Sequence, residues 1–291
     1  MLAGVTDPDP ARAAALARET GAPALQFAAL CEAADALIVA APAEFHFDLA
    51  TAALDAGRHV LVEKPIAATL DQADRLAALA RARGLVLQVG HLLRYSAEHA
   101  AISQRIARPL YIEATRIAPY KPRGTDVSVI LDLMIHDLDL AQALAGSEIE
   151  TVQAIGRRAR TDSLDVASAL LSFRNGITAT VTASRIGQTK IRKVELTQRA
   201  NYTVVDLVRQ DVTVHRVHHN EFLAEGGVRY RQTGLLEIPF LEHHGEPLAL
   251  ELSHFLECVT QRSTPRVSRE QGRRALSLAL AVRQAASGTL V

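Results

Sequence analysis

Over residues 1–90 short apolar runs alternate with alanine-rich amphipathic stretches. Leu2–Thr6 reads as a strand, Pro10–Thr20 as a helix and Ala36–Ala41 as a strand. His46–Ala56 follows as a helix, Val60–Val62 as a strand, Leu70–Arg83 as a helix and Val86–Val89 as a strand. Uninterrupted apolar strands separated by helices indicate a parallel sheet covered on both faces. Gly57 and Gly84 stand where helix C-caps are expected. The pattern is doubly wound α/β.

Beyond Gly90 the texture changes. The apolar stretch Val127–Leu144 reads as one helix, and strand-like runs then follow with little helix between them. Ile177–Ala183 alternates apolar residues with threonine, as a half-buried strand does. Val166–Phe173, Ile191–Gln198, Tyr202–Val208 and Val212–Val217 continue the series. Strands in direct succession predict a mostly antiparallel open sheet, hence an α+β second domain. The stretch from His218 to Pro247 reads as polar loop, and Glu251–Arg262 and Glu270–Ala286 as closing helices. The boundary falls at 93/94, giving domains over 1–93 and 94–291.

Charge adds mainly exclusions. The chain of 291 residues carries 32 Lys plus Arg against 32 Asp plus Glu, so no net field draws it to nucleic acid or an anionic membrane. Cys31 and Cys258 are its only cysteines and form no metal-type or C-x-x-C spacing, which fits a reducing compartment. No apolar run approaches a membrane span, and no secretory leader is legible. These features point to the cytoplasm.

The candidate chemistry lies in two places. The run His59–Ile66 is an apolar strand ending on Glu63, Lys64 and Pro65. In open α/β sheets ligands bind at the carboxyl ends of strands. In Val127–Leu144, Asp132 and His136 are four apart, on one helical face, in surroundings apolar enough to bury both. Imidazole titrates near neutrality and suits proton removal from a hydroxyl as a hydride departs. An ammonium at Lys64 would stabilise the developing alkoxide. Asp139 reads as a structural partner on nearly the same face. His91 and Arg94 are cleft candidates, and His46 is equally a helix-start residue or a cofactor contact. His215, His218, His219, His243 and His244 lack the companions of a metal site, so no metal is expected.

A dinucleotide-binding sheet opens with a strand, a G-x-G-x-x-G turn and a helix. No such motif occurs in this sequence, which opens directly on the strand ending at Asp7. Asp7 fits the acidic residue that binds the adenine ribose at the end of a second strand. It equally fits a helix N-cap region with Pro10 in the first turn. The first reading implies that the first strand and glycine loop, roughly 30 residues of a βα unit, are missing upstream. It also predicts weak NAD binding and association of the chain as given.

Taken together, the motifs resemble the Gfo/Idh/MocA family of NAD(P)-dependent sugar oxidoreductases along essentially the whole chain. Gly4–Pro10 is similar to the family's second-strand signature, and Ala34–Pro42 with His46 to its strand and turn beside the nicotinamide. Ala56–Pro65 resembles its most specific motif, Val89–Tyr95 its crossover between domains, and Asp132-x-x-x-His136-x-x-Asp139 its nicotinamide-facing helix. Arg123–Asp139 and Lys190–Lys193 resemble the branch that oxidises UDP-N-acetylglucosamine at C3 for the amino-sugar variant of lipid A.

The resemblance implies a Rossmann-type domain followed by a substrate and oligomerisation domain. It implies hydride transfer between a secondary hydroxyl of a sugar or nucleotide sugar and NAD, with NADP disfavoured by Asp7. Lys64, Asp132 and His136 would be catalytic. Asp7, Ala41, Pro42, His46, Glu63, Lys64 and His91 would hold the cofactor. Lys64, Arg94, Asp132 and His136 would hold the substrate. Homodimers or homotetramers built on the second-domain sheet are implied as well. The competing class is a non-catalytic sugar- or nucleotide-binding regulator on the same scaffold, which the missing glycine turn favours and the proton-transfer set opposes.

Overall fold

The computed structural model describes residues 1–105, 109–122, 127–223 and 229–288. The chain forms two compact units. One is Met1–His91 with Glu251–Arg273, and the other is Leu92–Leu250 with Arg274–Val291. The segment 251–273, read from sequence as part of the second domain, therefore belongs with the first. Its physical anchor is the edge of a sheet described below.

In the first unit, α1 (Pro10–Thr20) and α2 (Phe27–Ala33) precede β1 (Ala36–Val39). Then come α3 (His46–Asp55), β2 (His59–Glu63), α4 (Leu70–Ala82) and β3 (Leu87–Gly90). The three strands are parallel, in the order β1-β2-β3. Val60, Leu61 and Val62 of the central β2 are buried, as are Ala50, Ala53 and Leu54 of α3 and Leu76 and Ala80 of α4. α4 starts on a capping box, Thr69 accepting from Gln72 N–H while the Gln72 side chain reaches back to the Thr69 amide. Gly57 and Gly84 follow α3 and α4 with φ of 77° and 62°, the left-handed stop expected of them.

The free edge of β3 is covered from far along the chain. Val89 N–H donates to Val267 O at 3.2 Å, and Gln88 pairs antiparallel with Ser268. This contact anchors 251–273 in the first unit. A side chain on Gly272 would collide with Val89, so the helix that begins there needs glycine at that turn.

The expected strand Leu2–Thr6 is reduced to one bridge, Val5 with Ala24. Val5 N–H donates to Pro23 O and Leu25 N–H to Val5 O, both at 2.9 Å, while Met1 and Leu2 are exposed. With only this one short partner the segment does not extend into a ladder.

The second unit holds α5 (Ala97–Arg105), β4 (Tyr111–Pro119), a π-helical turn (Ile130–Met134) and α6 (Ile135–Ala145). β5 (Ile149–Arg157), β6 (Val166–Phe173), β7 (Thr178–Gly187), β8 (Ile191–Thr197) and β9 (Asn201–Asp206) follow. β10 (Asp211–Leu223) and β11 (Arg229–Glu237) close an eight-stranded sheet of order β11-β10-β9-β8-β4-β7-β6-β5. All its pairs are antiparallel except β4–β7. Ile177, Ala179, Val181 and Ala183 face inward while Thr178, Thr180 and Thr182 do not, as the alternation demands. They pack in one core with Ile135, Leu138 and Ala141 of α6.

The stretch expected as loop from His218 contains the β10–β11 hairpin, paired from Val214 with Glu237 to Leu223 with Arg229. It is an edge hairpin with Arg229, Arg231, Leu235 and Leu236 exposed, so no apolar alternation marks it. Backbone bonds and the cross-strand ion pairs Arg231–Glu221 (2.8 Å) and Arg216–Glu237 (2.9 Å) hold it instead. The chain ends in α7 (Pro247–Gln261) and α8 (Arg269–Ser287). Among the described residues no helix is long and apolar enough to cross a membrane.

Candidate active site

In the first unit the chemistry gathers at the carboxyl ends of β1 and β2. Glu63 closes β2, and Lys64 precedes Pro65 through a cis peptide bond. Both charged residues are half-buried, whereas Pro65, Ile66 and Ala67 are buried, so the backbone beneath Lys64 is fixed by packing. His46 opens α3 with its ring buried. Its Nδ1 lies 2.7 Å from Pro65 O and its Nε2 2.7 Å from Ala41 O. The imidazole thus staples the Ala41–Pro42 turn to the Lys64–Pro65 turn. His46 is thus the first residue of α3 and a clamp between two turns.

Asp9 is the N-cap of α1, accepting from Ala11 N–H at 2.9 Å, and Pro10 is its first residue. Asp7 Oδ1 accepts the Asp9 amide at 2.8 Å, while its Oδ2 takes no hydrogen bond among the described residues. That free oxygen fits a ribose hydroxyl. Ala41, Pro42 and Lys64 follow the carboxyl ends of β1 and β2. A glycine turn for the pyrophosphate is not part of residues 1–291. His91 is buried, its amide donating to Val89 O at 2.8 Å.

In the second unit Asp132 lies in the π-helical turn, whose wider spacing is shown by Ile135 N–H donating to Ile130 O. His136 stands in the first turn of α6. Both are half-buried rather than buried, a correction to the reading from the apolar pattern. The π turn adds a residue per turn, re-aiming Asp132 relative to a regular helix, and such turns recur at functional sites. Around them the helix is braced by ion pairs. Arg94 Nε and Nη2 donate to Asp139 at 2.8 and 3.2 Å, giving Asp139 the structural role read for it and committing the Arg94 fork to that pairing. Arg116 Nε and Nη2 donate to Asp137 at 2.6 and 2.7 Å. Arg123–Asp126 lies outside the described residues.

Sequence reasoning missed Asp137, Arg116 and Glu251. Arg116 interrupts the buried face of β4 after Ile112 and Ala114, a visible signal of a paired charge. Glu251 is fully buried in α7, and neither carboxyl oxygen has a hydrogen-bond partner among the described residues. Burial and then the Glu63 charge push its pKa up to about 8. Gln88 Nε2 donates to the Glu251 carbonyl at 3.4 Å.

Residues 1–91 match the family model described as oxidoreductase family, NAD-binding Rossmann fold, and residues 99–199 match the GFO/IDH/MocA C-terminal domain. The chain belongs to the Gfo/Idh/MocA family of oxidoreductases. It is 36% identical to UDP-N-acetylglucosamine 3-dehydrogenase of Acidithiobacillus ferrooxidans across 100% of this chain and 91% of that protein. A solved structure of that enzyme superposes with a TM-score of 0.91 at 34% identity, covering 98% of this chain and 90% of the other. Scyllo-inositol 2-dehydrogenase of Bacillus subtilis is 27% identical over 80% of this chain and 70% of its own length. A 3-ketoreductase from Actinomadura kijaniata, solved with NADP, is 26% identical with a TM-score of 0.82, covering 97% of this chain and 88% of its own. The Gfo/Idh/MocA chain described above is thus an oxidoreductase whose first unit has an NAD-binding Rossmann fold.

Proposed function

We propose that this oxidoreductase removes a hydride from a secondary hydroxyl of a nucleotide-linked sugar, with C3 of UDP-N-acetylglucosamine as the substrate position. The observation that carries the substrate is the full-length likeness to the Acidithiobacillus enzyme, at 36% identity. Bound NAD supplies the hydride acceptor. His136 accepts the hydroxyl proton, and Asp132, re-aimed by the π turn, orients the imidazole or the sugar. Lys64 stabilises the developing alkoxide from a backbone that the His46 clamp holds still. Arg94 and Asp139 brace the helix beneath His136.

Asp7 favours NAD, because a carboxylate at the ribose repels a 2′-phosphate. Asp7→Ser is expected to raise the use of NADP relative to NAD. The buried, reduced cysteines Cys31 and Cys258 suit a reducing cytoplasm. The open face of the second-unit sheet, with Ile155 and Leu170 exposed, would carry a second copy, which sedimentation can check.

The test is reduction of NAD in the presence of UDP-N-acetylglucosamine. His136→Ala and Lys64→Ala should each lower kcat by roughly 10²–10⁴-fold. Unchanged turnover in both variants would remove the mechanism. Turnover of inositols but not of the nucleotide sugar would remove the substrate assignment.

A further inference from the structure

On the helix-covered face of the second-unit sheet, β4 and β8 are apolar except at one cross-strand position. Ile112, Ala114, Val194 and Leu196 are buried there, and the next pair along is Arg116 directly opposite Arg192. Like charges facing each other across an antiparallel pair repel. Asp137 answers only one of them, both its oxygens being held by Arg116. Arg192 is half-buried, its backbone carbonyl taken by the Leu207 amide, while its guanidinium makes no hydrogen bond or ion pair with the described residues. Burial, then the Arg116 charge, lowers its pKa, with Asp137 pulling weakly the other way. The second guanidinium is left as a preorganised planar fork, the geometry that binds phosphate oxygens in pairs.

We propose that Arg192 is a specificity-determining residue that takes the phosphate oxygens of a nucleotide-linked substrate. This rests on the nucleotide-sugar reading above and names the group that recognises the nucleotide. Its placement follows from the chain: Asp137 is the residue after His136, so the Arg116–Asp137 pair sets Arg192 beside the turn that carries the proposed base. An unlinked sugar or inositol offers nothing to neutralise this cation, whereas a diphosphate does.

The experiment is calorimetric titration of the full chain with UDP and with uridine, for the wild type, Arg192→Met and Arg192→Lys. UDP should bind Arg192→Met about tenfold more weakly or worse, the loss of one charge-assisted contact, with Arg192→Lys between. Uridine should bind all three alike. Without ligand, Arg192→Met should melt no lower than the wild type, because its removal relieves the repulsion with Arg116. In turnover the same variant should raise KM for the nucleotide sugar and leave kcat nearly unchanged. Equal UDP affinity in wild type and Arg192→Met overturns the assignment while leaving the nucleotide-sugar reading intact. Failure of the wild type to bind UDP, together with turnover of an unlinked sugar, overturns both.

Discussion

Asp165 in the second unit and Glu251 in the first are both fully shielded from solvent, yet they settle into opposite states. Asp165 accepts the amides of Ala159, Arg160 and Thr161 at 2.8, 2.7 and 3.0 Å, and the Thr161 hydroxyl at 2.8 Å. Arg185 Nε stands 3.7 Å away. Burial pushes the Asp165 pKa up, but these donors outweigh it and bring the group to about 2. Glu251 meets desolvation with no donor among the described residues and with Glu63 opposing it, so it stays protonated until about pH 8. Burial alone therefore does not decide the charge of a carboxyl group. The donors aimed at it do.

The largest expected effect comes from removing the satisfied acid. Asp165→Ala strands three amides and leaves Arg185 without this carboxylate, which should cost about 3–5 kcal/mol in denaturant unfolding. A loss below about 1 kcal/mol would mean the loop re-satisfies itself, and the comparison would fail. In the wild type the folded Asp165 pKa lies below the ordinary carboxylate value of 3.8, so its stabilisation is present above that pH and fades as pH falls toward 2.

Glu251 has the reverse sign. Its folded pKa lies above the ordinary glutamate value of 4.5, so the folded state holds a proton that the unfolded state releases. Stability should fall by about 1.4 kcal/mol per pH unit as pH rises from 4.5 toward 8, then level off. Glu251→Gln should flatten that slope and melt higher than the wild type near pH 8. Melting temperature against pH checks it, and an unaltered slope would show that Glu251 is ionised in the fold. The smallest effect belongs to one donor: Thr161→Val should cost about 1 kcal/mol and raise the Asp165 pKa, readable by NMR titration.

What could be read from sequence was what periodicity encodes. The threonine alternation of Ile177–Ala183 gave the face of β7, and the apolar run into Glu63–Lys64 gave the strand end. Asp139 pairs with Arg94, in keeping with the structural role its spacing suggested. The β10–β11 hairpin was illegible because its backbone pairing leaves no apolar imprint on exposed side chains. The π turn was illegible because it is a backbone spacing rather than a residue type. Glu251 left a trace that went unread. With Phe255 and Cys258 it occupies i, i+4 and i+7 of α7, a carboxyl group on an otherwise apolar stripe.

The strip that covers the edge of β3 has a consequence in time rather than in energy. Gln88 meets Ser268, 180 residues later, so the first unit finishes only after β4 to β11 have been made. At typical synthesis rates of about 5–20 residues per second, that strand edge waits roughly 10–40 s for its cover. Until then a nascent chain carries an open parallel sheet, a surface for chaperones to shield and for neighbouring ribosomes' products to find. The second unit's strands, contiguous in sequence from β4 to β11, are complete before the first unit's sheet is closed.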